Sequence, residues 1–388
     1  MLTAPQKPAN VVAFAFLLIA FLTGIASSFQ IPTLSLFLEQ EIHVKPIFVG
    51  LFYTINAVIG IGISQLVAFY SDRQPDRRKI MVLCCLVAVL GCLIFAFSRS
   101  YILLILFGTT MLGFGSSANP QSFALAREYN ENNQRESVMF STIMRTQISL
   151  AWIIGPPLSF LIALNYGFDF MYCIAGLAFL ICAIISATLL PKTEKKPKIT
   201  QNLTAVSNPR KSVKYLFLSI CLMFICNSMY LINMPLYLIH QLYLNKNLAG
   251  NLMGVAAGLE IPVMLFAGYL TKFLSKKALL WIALVAGIGF YAGLLFAITS
   301  WQLFALQILN AIFIGILATI GMIYFQDLMP EQMGVATTLF SNSAKMSWVV
   351  GGAFAGIISE WGSYASVFPL SLLMLIASIF CLYKVKSV

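Results

Sequence analysis

Long apolar runs separated by short polar breaks fill almost the whole chain. A run of roughly 20 apolar residues is long enough for one helix to cross the hydrocarbon layer of a bilayer. Reading each run up to the next charged or turn-rich break predicts twelve helices, at 11–37, 46–70, 79–98, 101–127, 137–164, 166–190, 213–241, 247–270, 278–299, 301–326, 332–359 and 363–384. The pattern therefore predicts an all-α membrane protein with twelve transmembrane helices.

The composition supports the same class. Hydrophobic residues make up 60% of the 388 residues and charged residues only 10%, whereas soluble domains carry about 25% charged residues. The net charge of +11 does not indicate a nucleic-acid partner, because the basic residues lie in short breaks and not on one soluble face. The expected surrounding is a lipid bilayer.

Basic residues are concentrated in every second break between the predicted helices. These breaks hold Arg73, Arg77, Arg78, Lys79, Arg127, Arg135, Lys192, Lys195, Lys196, Lys198, Arg210, Lys211, Lys214, Lys272, Lys276 and Lys277. The other breaks hold only Lys45, Arg99 and Lys246. Because cytoplasmic loops of membrane proteins carry the excess of Lys and Arg, both termini are expected on the cytoplasmic side.

The chain reads as two similar halves, 1–190 and 213–388, joined by a polar cytoplasmic linker at 191–212. Matching positions recur in the same order with similar offsets. They are Gly50 and Gly250, the segment WIIG at Trp152 and WVVG at Trp348, and the segment QIP at Gln30 and NMP at Asn233. This parallel duplication predicts two pseudo-symmetric bundles of six helices.

Several segments resemble the sugar efflux transporter family of the major facilitator superfamily, namely SFQIPTLSLFL, GLFYTINAVIGIG, SDRQPDRRK, FALAREY, SLAWIIGPPLSFLIALNYGF, MGVAAGLEIP and ATTLF. The resemblance implies the major facilitator fold and export of sugars or glycosides, of the lactose, glucose and thiogalactoside type, across a bacterial inner membrane. It also implies antiport with protons by alternating access. We expect no enzymatic activity, no cofactor and a monomeric protein.

The resemblance assigns a gating role to the loop after the second helix, where Ala68 replaces the usual glycine and the loop is one residue longer. Glu128 and Asp327 end the fourth and tenth helices on the same side, where a carboxylate opposes the helix dipole and indicates a partner. Arg73 or the neighbouring basic loop is the expected partner, and a solvated helix end is the alternative. The candidate gating residues are Asp72, Arg73, Arg77, Arg78, Glu128 and Asp327.

One face of the fifth helix carries a cation, a hydroxyl and an indole, because Arg145, Ser149 and Trp152 are spaced i, i+4 and i+7. The second half repeats the set as Ser341, Lys345 and Trp348. A cation near the bilayer centre costs about 2.5–3.5 kcal/mol on the insertion scale. We therefore interpret both faces as the lining of a substrate cavity, and simple packing of the indoles is the alternative.

Neutral polar side chains also recur inside the predicted helices. Amides and hydroxyls suit a sugar, which presents many neutral donors and acceptors, although hydrogen bonding between helices is an equally ordinary use. The candidate substrate ligands of this kind are Gln30, Asn56, Asn119, Asn227, Tyr230, Asn233, Asn310 and Asn342.

Glu260 is the only carboxylate that the predicted boundaries place deep in the membrane. Burial favours its neutral form and a nearby cation favours its ionised form, so it is the candidate for proton coupling. The family architecture makes Arg145 the expected partner and Lys345 the second choice. A static ion pair is the alternative.

Three other functions remain open at this stage. Proton-coupled sugar uptake and drug efflux would use the same fold. A membrane-embedded transferase is less well supported, because the loops are short and carry no cluster of His, Asp or Cys. The eight cysteines lie inside apolar runs, so neither disulfides nor a metal site are expected.

Overall fold

The computed structural model describes residues 8–73, 76–132, 137–191, 211–329 and 333–385, and every regular element in these ranges is helical. The helices of the first half of the chain are α1 Ala9–Gln40, α2 Pro46–Arg73, α3 Arg77–Phe97, α4, α5 Ser137–Tyr166 and α6 Phe168–Leu189. Helix α4 begins as Tyr101–Leu103, passes through a π-helical turn at Leu104–Gly108 and continues as Thr109–Asn132. The later helices are α7 Lys211–His240, α8 Leu248–Leu270, α9 Lys276–Leu294, α10 Ser300–Leu328, α11 Met333–Trp361 and α12 Val367–Tyr383.

Eleven helices of the described ranges are long and apolar enough to cross a membrane, judged by length and composition. The long helix outside this set is α11, which carries Asn342 and Lys345. The prediction of an all-α membrane protein is therefore confirmed. The twelfth span stays a prediction, and most of the predicted linker, at 192–210, lies outside the described residues.

The chain divides into two compact units. The first comprises Met1–Phe37 and Val58–Gln201, and the second comprises Leu38–Ala57 and Asn202–Val388. The division differs from the predicted one in a single segment, because residues 38–57 pack with α7 to α12. The division into halves at 1–190 and 213–388 therefore stays a prediction.

Both units pack their helices in the same order. In the first unit α3 packs against α4 and α6, and in the second unit α9 packs against α10 and α12. Buried alanine, cysteine and phenylalanine side chains fill the core of the first unit, with Ala88, Cys92 and Ala175 fully buried. Small side chains of this kind allow close approach of membrane helices.

The loops after α1 and α7 repeat the same backbone conformation 200 positions apart. His43 and Tyr243 both have positive φ angles, 56° and 52°. In each loop the next N–H returns to a carbonyl in the last helical turn, from Val44 to Leu38 at 3.3 Å and from Leu244 to Leu238 at 2.9 Å. The repeat inferred from residue identity thus extends to local backbone geometry.

Candidate gating and substrate site

The loops that lead into α3 and α9 end with equivalent N-caps. The carboxylate of Asp76 accepts a hydrogen bond from the backbone N–H of Arg78 at 3.1 Å. The hydroxyl of Ser275, 199 positions later, accepts one from the N–H of Ala278 at 3.2 Å. Each cap satisfies a backbone donor that would otherwise lack a partner, and in each helix the first two positions are basic.

Arg77 is the centre of a buried polar network in the first unit. Its Nε donates to Oε1 of Glu128 at 2.7 Å, and one terminal nitrogen donates to Ser71 at 2.7 Å and to Gln121 at 3.1 Å. Ser71 in turn donates to Gln121 at 2.5 Å. Because hydrogen bonds to charged groups are stronger than neutral ones, this network holds together the end of α2, the start of α3 and the end of α4.

The second unit contains the same ion pair 199 positions later. Nζ of Lys276 lies 2.6 Å from Oδ2 of Asp327, so the start of α9 is tied to the end of α10. The pair is more exposed, at 26% and 29% of side-chain surface, than Arg77, at 6%. Ile320, at the position that corresponds to Gln121, cannot extend it into a network.

The second basic residue of each pair interacts with the end of another helix. Arg78 donates to two carbonyls at the end of α6, and Lys277 donates to two carbonyls at the end of α12. The acceptors are Ala187 at 3.4 Å and Leu190 at 3.3 Å in the first unit, and Tyr383 at 3.0 Å and Val385 at 2.5 Å in the second. Cations are favourable at helix C-termini, where the dipole is negative.

These contacts answer one question that the sequence left open, namely which residue pairs with Glu128. They also include one residue, Lys276, that the sequence analysis did not propose. The partner of Glu128 is Arg77, which the sequence placed in the neighbouring basic loop and the structure places at the start of α3. Lys276 was not among the candidates, although applying the repeat to Arg77 would have found it. The side chains of Asp72 and Arg73 lie outside the described part of the chain, and gating by all six candidates stays a prediction.

The candidate face of α5 lies away from the core of its unit. Arg145 is exposed, with its guanidinium 6.0 Å from the ring centroid of Phe123, and Trp152 is partly buried. The opposite face of the helix is buried at Met144 and Ala151. The predicted face therefore lies opposite the buried face of α5, and its role as a cavity lining stays a prediction.

The equivalent face of α11 has an aromatic neighbour that the sequence did not indicate. The rings of Trp348 and Tyr53 are stacked, with centroids 6.0 Å apart and planes at 16°. Beside them the hydroxyl of Thr54 donates to the carbonyl of Val349 at 2.9 Å. Lys345 is partly buried one turn earlier. Tyr53 belongs to segment 38–57, and it reaches Trp348 because that segment packs with the second unit.

Three of the candidate polar ligands in the second unit bond to neighbouring side chains. Tyr230 and Asn310 are buried and donate to the side-chain oxygen of Gln307, at 3.4 Å and 3.0 Å. Asn233 is buried and accepts from Ser359 at 3.1 Å. Tyr230 and Asn233 thus show the hydrogen bonding between helices that was raised as the alternative, while Asn310 bonds within its own helix.

The remaining candidate amides keep part of their surface. Asn342 is exposed, while the amides of α1, α2, α4 and α7 are partly buried. The partly buried ones are Gln30, Asn56, Asn119 and Asn227. Among the described residues, the acceptor of the Gln30 amide is the sulfur of Cys92, at 3.7 Å, which is a weak acceptor. These five are the amides best placed to exchange partners with a ligand.

Glu260 lies in the middle of α8 and is partly buried. Among the described residues of its own unit, no hydrogen bond or ion pair to this carboxylate is found, and its pairing with Arg145 or Lys345 stays a prediction. An ionisable group at membrane depth is costly and marks a functional pathway by default. Glu260 therefore remains the first candidate for proton binding.

Comparison with known proteins identifies the family. The chain matches the Major Facilitator Superfamily over residues 16–298 and 216–387. It is 50% identical to sugar efflux transporter A of Dickeya chrysanthemi, covering 100% of this chain and 98% of the relative, and 49% identical to sugar efflux transporter B of Salmonella typhimurium, covering 99% and 98%.

Sugar efflux transporter C of Escherichia coli is 46% identical over 100% of this chain and 99% of the relative. The crystal structure of the nucleoside transporter NupG superposes with a TM-score of 0.82 and covers 97% of this chain and 100% of that one, at 13% identity. At that identity the structural likeness shows the fold alone. The chain is thus a multi-pass transporter and not an enzyme, and it belongs to the sugar efflux transporter family of the Major Facilitator Superfamily.

Proposed function

We propose that this transporter exports neutral sugars or glycosides from the cytoplasm. The observation that carries the proposal is identity of 46–50% over essentially the full length to relatives that are named sugar efflux transporters. The proposed substrates are of the lactose, glucose and thiogalactoside type. The proposed location is the bacterial inner membrane, with twelve spans in two six-helix bundles and both termini in the cytoplasm.

The chemistry of the candidate residues supports a neutral polyhydroxylated substrate. Trp152 and Trp348 offer flat apolar surfaces for the C–H faces of a sugar ring, and the partly exposed amides offer both donors and acceptors. Arg145 and Lys345 add charge-assisted donors for hydroxyl oxygens. Assignment of Tyr230, Asn233 and Asn310 to the substrate is less well supported, because they already bond to protein side chains.

Export against a gradient needs an energy source, and we assign it to antiport with protons. Glu260 is the proposed proton carrier because it is an ionisable side chain in the middle of a helix long and apolar enough to cross a membrane. Protonation from outside would neutralise it, and release to the cytoplasm would restore its charge. Alternating access would then expose substrate and proton sites to each side in turn.

Counterflow in proteoliposomes tests the substrate class directly. Vesicles are loaded with one unlabelled compound at a time, and the transient uptake of the same compound in labelled form is followed. We expect counterflow with lactose, glucose and thiogalactosides and none with nucleosides or hydrophobic cations. Counterflow restricted to hydrophobic cations, by protein that is folded and monodisperse, would reject sugar export in favour of drug transport.

A further inference from the structure

The end of the second unit at which α7 begins and α12 ends carries lysines without matching acids. Lys211 and Lys214 are exposed in the first turns of α7, and Lys384 is exposed just after α12. Among the described residues the acid at this end of the unit is Asp327, and Lys276 already pairs with it. Among the residues that the structure describes, the three lysines therefore form a positive surface without a counter-charge.

The repeat shows that the fold does not require this charge. At the repeat offset of 203, Pro8 and Val11 of the first unit correspond to Lys211 and Lys214. Moreover, cations near a helix N-terminus oppose the helix dipole, so two lysines at the start of α7 are unfavourable for the isolated helix. An anionic partner outside the protein would offset this disadvantage.

Aromatic and apolar side chains adjoin the lysines on both helices. Nζ of Lys384 lies 5.3 Å from the ring centroid of Tyr215, which links the end of α12 to the second turn of α7. One turn further along each helix are exposed apolar side chains, Leu218 at 48% and Phe380 at 68% of their surface. Cations followed by apolar surface match a ligand with a phosphate group and acyl chains.

We propose that this surface, Lys211, Lys214 and Lys384 with Tyr215, binds the headgroup of an anionic phospholipid. The ammonium groups would contact the phosphate, while Leu218 and Phe380 would contact the acyl chains. Basic pockets between transmembrane helices bind anionic headgroups in this way. Each lysine near the membrane surface raises the affinity for an anionic lipid roughly fivefold. The proposal does not depend on what the protein transports.

Native mass spectrometry of purified protein titrated with phosphatidylglycerol, and with phosphatidylcholine of the same chains, tests the site. We expect preferential binding of phosphatidylglycerol, reduced at least about tenfold in the triple variant Lys211→Gln, Lys214→Gln and Lys384→Gln. The triple arginine variant should keep the preference. Lys45→Gln with Lys246→Gln is the matched control, because these lysines lie in the loops before α2 and α8.

Three results would overturn the assignment. The first is equal retention of both lipids by the unmodified protein. The second is a loss of phosphatidylglycerol binding in the control variant as large as in the triple glutamine variant. The third is displacement of phosphatidylglycerol by inorganic phosphate to a greater extent than by chloride of equal ionic strength. The last result would mean that the site selects free phosphate. Since the first and third tests use unmodified protein, the proposal can fail even where the glutamine variant does not fold.

Discussion

Arg77 and Glu128 form an ion pair of 2.7 Å in which the arginine is 6% exposed and the glutamate 20% exposed. The pair of Lys276 and Asp327 repeats it 199 positions later at 2.6 Å, with greater exposure and without the surrounding network. Equivalent contacts thus occur in both units. Because the first pair is more buried, its loss should lower the free energy of unfolding more than loss of the second pair.

Glu128→Gln should destabilise the protein strongly. The substitution removes the carboxylate of Glu128 from a buried guanidinium, and breaking such a pair costs about 3–5 kcal/mol when it is fully buried. Because Glu128 is 20% exposed, we expect roughly 2–3 kcal/mol. Thermal or denaturant unfolding in detergent would measure the change.

Asp327→Asn is the matched control for that variant. Its pair is about a quarter exposed, so its loss should cost at most about 1 kcal/mol. Equal destabilisation by the two substitutions would contradict the role assigned to burial of Arg77.

Trp152→Ala should weaken sugar binding about fivefold, corresponding to the roughly 1 kcal/mol of an aromatic stacking contact. Trp281→Ala removes an indole of α9, far from any candidate ligand in sequence, and should leave affinity unchanged. Both affinities can be measured by titration calorimetry on folded protein. If the two variants bind sugar equally well, Trp152 is not part of the site.

Gly356→Ala should disturb the packing of segment 38–57 in the second unit. A Cβ at this position would lie 2.8 Å from Cα of Gly50 and 3.0 Å from the carbonyl oxygen of Ile47, and neither backbone atom can rotate away. Overpacking of this kind costs typically 1–3 kcal/mol. Faster hydrogen exchange of the amides at 46–57 would report the loss of packing.

Gly268→Ala is the control for the packing prediction, because a Cβ on Gly268 meets no atom within 4 Å. Exchange at 46–57 should match the unmodified protein in this variant. Unchanged exchange in Gly356→Ala would mean that the close approach of α2 and α11 is not required.

Much of the fold could be predicted because a bilayer imposes a simple rule on the sequence. Apolar length locates the helices, and α2 and α8 begin at or within one residue of their predicted starts. Dipole reasoning also indicated that Glu128 and Asp327 need basic partners, and the structure supplies both. These inferences succeed because they depend on local sequence alone.

Other features depend on which side chains the fold brings together. Nothing in the sequence separates Tyr230, buried against Gln307, from Asn227, which keeps part of its surface. The stack of Tyr53 on Trp348 joins residues almost 300 positions apart. The π-helical turn at Leu104–Gly108 falls in an apolar run that also suits an α-helix. Side-chain contacts and local departures from the α-helix are set by tertiary packing, which the periodicity of apolar residues does not encode.

Sugar accumulation driven by a proton gradient tests the central claim most directly. In inside-out vesicles with an acidic lumen, the unmodified protein should accumulate labelled lactose in the lumen until a protonophore dissipates the gradient. Glu260→Gln should lose this accumulation and retain sugar-for-sugar exchange, because a neutral amide cannot carry the proton. Accumulation by Glu260→Gln at the unmodified rate, or none by unmodified protein that still exchanges sugar, would contradict the account.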